Sequence, residues 1–247
     1  MKIALVTGGS RGIGLETVRR LAAEGYKVVT CSRSKSSWNE ALDLYPDLAN
    51  VDHKISDISI DSDIEQLFTY VSETYGELHA AVNNASPQIA SSGRFHQVEN
   101  SLLKDTLNID FWAQALCLKH EIKLMKKGAA IVNISSVNGL RPTPGASMYS
   151  AAKHAMEGLT RSLALENIKD GIRINGVAPG VTWTPRWEEK QTNHPNIRQE
   201  VSNVVPIERF AHSEEVVNAI EFLLSEKASY IVGHTLVVDG GISLTGA

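Results

Sequence analysis

Lys2-Ile3-Ala4-Leu5-Val6-Thr7-Gly8-Gly9-Ser10-Arg11-Gly12-Ile13-Gly14 opens the chain with an apolar run that leads straight into a cluster of glycines. The run reads as a short buried strand. After the glycines, Leu15, Val18, Leu21 and Ala22 alternate with Glu16, Arg19, Arg20 and Glu24 at a period of about 3.6 residues, which predicts a helix. A strand, a glycine turn and a helix N-terminus together make an anion site. The missing side chains let a ligand approach the backbone, and the free N–H groups and the helix dipole favour a pyrophosphate.

A second strand, Lys27 to Cys31, ends about 20 residues past the glycines, where a dinucleotide site that prefers NAD places a carboxylate on the ribose 2′-hydroxyl. Here the chain reads Ser32-Arg33-Ser34-Lys35, and the first carboxylate after the strand is Glu40. Ser32 and Arg33 suit a 2′-phosphate instead, with Arg11 of the glycine turn as a further cation, so the expected cofactor is NADP(H). Further strand-like runs at 50–55, 78–83, 129–135, 172–178 and 235–238 alternate with helical or loop-forming sequence. The fold class is therefore α/β, a doubly wound parallel sheet of about seven strands with helices on both faces and ligands beyond the C-terminal strand ends. A capping-box pattern at Ser62-Asp63-Ile64-Glu65 is expected to open one helix, and Ser213 before Glu214 and Glu215 another. The 247 residues, 43% of them hydrophobic, form one domain, 1–247, with no linker-like segment.

The chemistry centres on Tyr149 and Lys153, four apart on a predicted helix and so on one face, with Ser136 upstream after an apolar run. A phenol is a poor acid or base at neutral pH, and a fixed positive charge beside it favours its ionised form. The spacing describes a tunable proton donor. His154 adjoins Lys153 but points elsewhere on the helix and is read as a solvated or packed histidine.

With those residues in place, the chain resembles the short-chain dehydrogenase/reductase family in its small single-domain form, from Lys2 to Asp239-Gly240-Gly241. Thr7, Gly8, Gly12 and Gly14 match the family's glycine pattern, and Asp57 matches its adenine-contacting aspartate. Asn83-Asn84-Ala85 matches the motif after the fourth strand, except that Ser86 stands where the family has glycine. The resemblance implies a Rossmann-type fold and a catalytic tetrad of Asn108, Ser136, Tyr149 and Lys153, with Asn108 holding a water that relays protons to Lys153. It implies a cofactor set of Gly8, Ser10, Arg11, Gly12, Ile13, Gly14, Ser32, Arg33, Asp57, Ile58, Asn84, Ala85, Tyr149, Lys153, Pro179, Gly180, Val181 and Thr184. It further implies reversible reduction of a ketone to a secondary alcohol. The pattern is similar to that of 3-oxoacyl-carrier-protein reductases, with a sugar or polyol dehydrogenase as the alternative and a non-catalytic NADP(H) sensor as a remote one. The helices around Asn108 and Tyr149 and the C-terminal apolar run resemble the family's interfaces, so a homotetramer is expected.

Segment 183–210 is read as a substrate lid. Ser86, Pro87, Gln88, Asn138, Met148, Trp183 and Trp187 are the expected pocket neighbours, and Arg141 and Arg186 are candidates to meet an anionic group on the substrate. The first strand begins at residue 2 and no apolar run approaches the roughly 20 residues of a membrane span, so a cytoplasmic protein without leader or anchor is expected. Two scattered cysteines and eight histidines show no metal-ligand spacing, so no metal is expected. A net charge of −4 without a basic cluster beyond the cofactor site argues against nucleic acid, leaving a small molecule as the partner.

Overall fold

Every residue of the first strand, β1 (Ile3–Thr7), is buried, because helices cover both faces of the sheet around it. The computed structural model describes residues 1–87 and 89–245; Gln88, one of the expected pocket neighbours, lies outside the described residues. The other strands are β2 (Lys27–Ser32), β3 (Asp52–Ile55), β4 (Leu78–Asn83), β5 (Met125–Ile134), β6 (Arg173–Pro179) and β7 (Thr235–Val238). All pair in parallel, in the spatial order β3-β2-β1-β4-β5-β6-β7. The order reverses between β1 and β4, and beyond the C-terminal ends of those two strands the chain leaves a crevice for a ligand.

Alternation along β1 explains the two layers. Ile3 and Leu5 face one core with Phe68 of α3 (Asp61–Tyr75), Leu118 of α5 (Ala113–Leu124) and Met156 of α6 (Ser147–Asn167). Ala4 and Val6 face the other, with Val18 of α1 (Gly12–Ala23), Trp38 of α2 (Lys35–Leu44) and Ile220 of α9 (Ser213–Leu224). Burying one such large apolar side chain stabilises the fold by about 1.5–3 kcal/mol, and the continuous apolar runs of the sequence follow from this two-sided burial. Among the described residues, no helix is long and apolar enough to cross a membrane.

Three details correct the sequence reading. The fifth strand starts at Met125 rather than 129, and its pairing with β4 shifts register between Leu78 and Ala80 to take up the polar Lys126-Lys127-Gly128. The pattern Ser62-Asp63-Ile64-Glu65 does not cap α3, whose N-cap is Ile60. Asp63 instead accepts from the Asp57 N–H at 2.9 Å, a bond across the turn that only the folded chain brings together. Ser213 is the first residue of α9 rather than its cap, and Glu215 turns back to accept from the His212 N–H at 2.8 Å.

Beneath the active edge of the sheet, Glu121 of α5 is fully buried and accepts from Asn83 Nδ2 at 2.9 Å. Asn83 Nδ2 also reaches Asn133 Oδ1, and Asn133 Nδ2 donates to Thr160 Oγ1. Burial pushes the Glu121 carboxyl up to about 8, against the smaller opposing effect of the Asn83 bond. The folded state thus holds this proton more tightly than the unfolded chain, whose carboxyl titrates near 4.5. Stability is expected to be fully present below that value and to fall as pH rises from about 4.5 to about 8. The loss has a ceiling of about 5 kcal/mol, and Glu121→Gln should flatten the dependence in urea midpoints measured across this range. An unchanged slope in the variant would exclude Glu121 as its source.

Candidate active site

The glycine turn is held by the neighbouring strand end. Thr7 Oγ1 accepts from the N–H groups of Asn84 (3.0 Å) and Ala85 (3.1 Å), while Asn84 Nδ2 donates to the carbonyls of Thr7 (3.0 Å) and Gly8 (3.1 Å). Gly8 has a φ of +71°, and a Cβ there would lie 2.9 Å from the Ala85 Cα, so both its conformation and this close approach require glycine. A side chain at Gly14 would collide with the Gly8 carbonyl. The N-terminus of α1 has no side-chain cap and no acidic residue in its first turn. Its free N–H groups therefore remain available to a pyrophosphate, and the bare backbone fits a dinucleotide.

At the other end of this cleft, the Ser32 hydroxyl is engaged within the protein. It donates to the Ser34 carbonyl at 3.0 Å and meets His53 Nε2 at 2.8 Å. Burial holds His53 down near 4, so it stays neutral; its ring stacks on Trp38 at 4.8 Å. Arg11 pairs with Glu189 of α7 (Pro185–Asn193) at 3.0 Å, bridging the glycine turn to the segment that follows β6. Arg33 is exposed and lines this end of the cleft. Asp57 orders its own turn by accepting from the Ser59 N–H and hydroxyl.

The catalytic candidates meet at the ends of β5 and α6. Ser136 Oγ accepts from the Asn138 N–H at 3.2 Å, which leaves its hydroxyl hydrogen to donate. A Cβ at Gly139 would lie 2.9 Å from the Lys153 carbonyl, so the glycine lets the Ser136 turn pack directly on α6. Tyr149 is buried, and Lys153, only 1% exposed, puts Nζ 5.6 Å from the Tyr149 ring centre and donates to the Ile134 carbonyl at 3.2 Å. His154 bonds back to the Ser150 carbonyl and sits on the exposed side of α6.

A cleft of about 990 Å³ runs past these groups. It is lined by Gly8, Ser10, Arg11, Gly12, Ile13, Ser32, Arg33, Asp57, Ile58, Asn84, Ala85, Pro179, Gly180 and Thr184 at its nucleotide end, and by Ser86, Ser136, Tyr149, Lys153, Trp183 and Trp187 at the other. Among the described residues, six of those expected fall outside this lining, Arg141 being one of them. Gly14 lies behind the turn, Val181 packs near Val137 and Val205, and Asn138 shapes the Ser136 turn. Met148 is half-buried on α6, away from the lining. Asn108 donates its amide to the Ser59 carbonyl at 3.0 Å rather than turning to Lys153.

The two arginines considered for an anionic substrate are engaged elsewhere. Arg186 donates to the carbonyls of Ser86 (2.8 Å) and Pro87 (2.6 Å), and Arg141 donates to the Ile242 carbonyl at 2.9 Å. Trp183 and Trp187 line the cleft and both stand edge-on to the buried Phe210, with ring centres 5.1 Å apart, while Arg198 lies over the Trp183 ring and Lys190 over that of Trp187. Among the described residues, no group of three His, Cys, Asp or Glu side chains could hold a metal ion.

The side chain that does reach Lys153 is Asp110, at 3.5 Å, a residue the motif reading passed over. A signal was present: Asp110 lies among Leu107, Ile109, Phe111 and Trp112, and a carboxylate in an apolar run needs a partner.

The comparisons with known proteins agree over nearly the whole chain. Residues 8–243 match a family model described as enoyl-(acyl carrier protein) reductase. Levodione reductase of Leifsonia aquatica is 34% identical over 98% of this chain and 94% of that protein. Glucose 1-dehydrogenase of Gluconobacter oxydans is 35% identical over 99% of this chain and 93% of that one. A crystal structure of an actinorhodin polyketide ketoreductase variant with NADPH superposes with a TM-score of 0.90 at 30% identity, covering 99% of this chain and 98% of the other.

Arg33→Ala is expected to weaken NADPH by about 1.5–3 kcal/mol, the value of a charge-assisted hydrogen bond, and to leave NADH nearly unchanged in fluorescence titrations. Equal losses on both cofactors would remove Arg33 from the 2′-phosphate.

Proposed function

The chain belongs to the short-chain dehydrogenase/reductase family, and within it we propose that the protein is an NADP(H)-dependent oxidoreductase that reduces a ketone to a secondary alcohol, reversibly. The observation that carries the reading is the meeting of Ser136, Tyr149 and Lys153 on one wall of the cleft whose far end is the glycine turn. A protein that only sensed the nucleotide would need the turn but not this trio.

The nicotinamide, when bound, supplies or accepts hydride at the substrate carbon. The protein handles the oxygen. Ser136, one of whose lone pairs already accepts from the Asn138 N–H, donates its hydroxyl hydrogen to the carbonyl oxygen and fixes its position. Tyr149 gives its proton to that oxygen as negative charge develops, and takes it back in the oxidative direction. Lys153 keeps a positive charge beside the phenol, favouring the phenolate left after transfer. Its burial fixes the ammonium where a flexible surface lysine would not stay.

Trp183 and Trp187 in the cleft lining, backed by the buried Phe210 and with Arg186 and Arg141 occupied, support an acyl or ring ketone such as a 3-oxoacyl thioester. The likeness to a glucose dehydrogenase supports a sugar or polyol as the second reading. In this reading segment 183–210 is the lid, clasped by Arg186 onto Ser86 and Pro87 and by Glu189 onto Arg11. The same reading includes cytoplasmic action, which cell fractionation checks, and a homotetramer. Leu107 and Trp112 beside α6 and Leu244 after β7 are exposed apolar residues suited to covering by other subunits. Light scattering should give four times the 26.9 kDa chain mass, and a monomer at micromolar concentration would sink the assembly.

The deciding assay follows NADPH absorbance against an acetoacetyl thioester, diketones, keto-sugars and cyclic ketones, with wild type and Tyr149→Phe in parallel. The proposal expects wild-type turnover of at least one ketone, fastest for the thioester or a ring ketone. It expects a loss of at least about 100-fold in the variant with NADPH still bound. Undiminished turnover by Tyr149→Phe would remove the phenol from the chemistry.

A further inference from the structure

The two carboxylate oxygens of Asp110 lie in a place where neither the glycine turn nor the tetrad pattern called for a charge. Its side chain is 2% exposed. One oxygen, Oδ1, accepts from the Ser86 hydroxyl at 2.6 Å and lies 3.5 Å from Lys153 Nζ. The local backbone explains how it gets there. Residues Asn108–Trp112 form a π-helical turn between α4 (Asn100–Leu107) and α5, closed by the Ala113 N–H on the Asn108 carbonyl. That extra residue in the turn sends Asn108 outward to Ser59 and Asp110 inward to Lys153. Ser86, the residue that departs from the family glycine, supplies the hydroxyl that Asp110 accepts. Ser86 and Asp110 thus form one hydrogen-bonded unit.

We propose that Asp110 is a positioning residue that holds the Lys153 ammonium and partly neutralises it, and that Ser86 tempers this effect by donating to the carboxylate, so that the pair sets the pH at which Tyr149 exchanges its proton. The physics has a fixed sign. A phenol loses its proton more easily the greater the net positive charge nearby. Removing the Asp110 charge leaves Lys153 uncompensated and eases ionisation. Removing the Ser86 hydroxyl takes a hydrogen-bond dipole off the carboxylate, deepens the neutralisation and makes ionisation harder.

Lys153 has charged and titratable groups on several elements around it, besides the exposed Lys104 and Asp105 of α4 and Arg173 of β6, which is bonded to the Leu223 and Leu224 carbonyls. Its own helix offers Tyr149 and, one turn on, Glu157, which is engaged by Arg161 and Thr235. The π turn offers Asp110, α5 offers Glu121 beneath Asn83, and α7 offers Arg186 on the Ser86 carbonyl. The ends of β4 and β5 and the Ser136 turn present amides, hydroxyls and carbonyls. Asp110 is the anion in ion-pair contact with Lys153.

The inference rests on Tyr149 being the proton donor, and its test needs neither NADPH nor a substrate, so it can fail while the proposed activity stands, and the reverse. Tyrosinate absorbance is followed against pH, and subtraction of each protein's Tyr149→Phe counterpart isolates one phenol of the six. A unit charge this close moves a midpoint by about one pH unit, or tenfold in proton affinity. Asp110→Asn should lower the Tyr149 midpoint by that amount, Ser86→Ala should raise it by less, and Asp110→Glu should restore most of the wild-type value. A midpoint that stays in place in folded Asp110→Asn overturns the proposal. Where circular dichroism shows that Asp110→Asn has lost its helices, Ser86→Ala decides: an upward shift supports the proposal and an unmoved or lowered midpoint overturns it.

Discussion

A lysine ammonium with 1% of its residue surface exposed is the constraint around which the active end of this molecule is organised. Such a charge is tolerated only with polar partners in place, because losing its hydration costs several kcal/mol or more. Lys153 finds the Ile134 carbonyl at the end of β5 and the Asp110 carboxylate on the π turn. Each partner fixes an element. The end of β5 leads into Ser136, and the turn holding Ser136 packs on α6 at Lys153 itself, through Gly139. The buried charge, the hydroxyl and the phenol therefore share one rigid frame, which is what proton transfer requires of groups that must meet a single oxygen.

The cleft is polarised from end to end. At the nucleotide end, the uncapped α1 and Arg33 favour anions, and the neutral His53 adds no charge of its own. At the opposite end, Trp183 and Trp187 line the cleft against the buried Phe210, Arg198 and Lys190 lie over the two indole rings, and Arg186 is bonded to main-chain carbonyls. An anionic cofactor finds its preferred end at the glycine turn, and the proton donor stands at the other.

Much of this was legible in the sequence because it depends on local pattern. Buried parallel strands must be continuous apolar runs, so six of the seven start within two residues of where the runs suggested, and the glycine turn follows from spacing alone. The i, i+4 rule placed Tyr149 and Lys153 on one face. What was not legible depends on partners distant in the chain. Arg186 reaches across about a hundred positions to Ser86 and Pro87, and Asn108 bonds back to the Ser59 carbonyl. The π turn at Asn108–Trp112 carries no local sequence mark, and it decides that Asp110, rather than Asn108, faces Lys153.

The central claim is that Ser136 and Tyr149 hold the reacting oxygen together. A crystal structure with NADP+ and a slowly oxidised secondary alcohol tests it most directly. The account predicts the alcohol oxygen within about 3 Å of both Ser136 Oγ and Tyr149 Oη, with the 2′-phosphate on Arg33. An alcohol oxygen bound out of reach of Tyr149, with the cofactor in place, would contradict it.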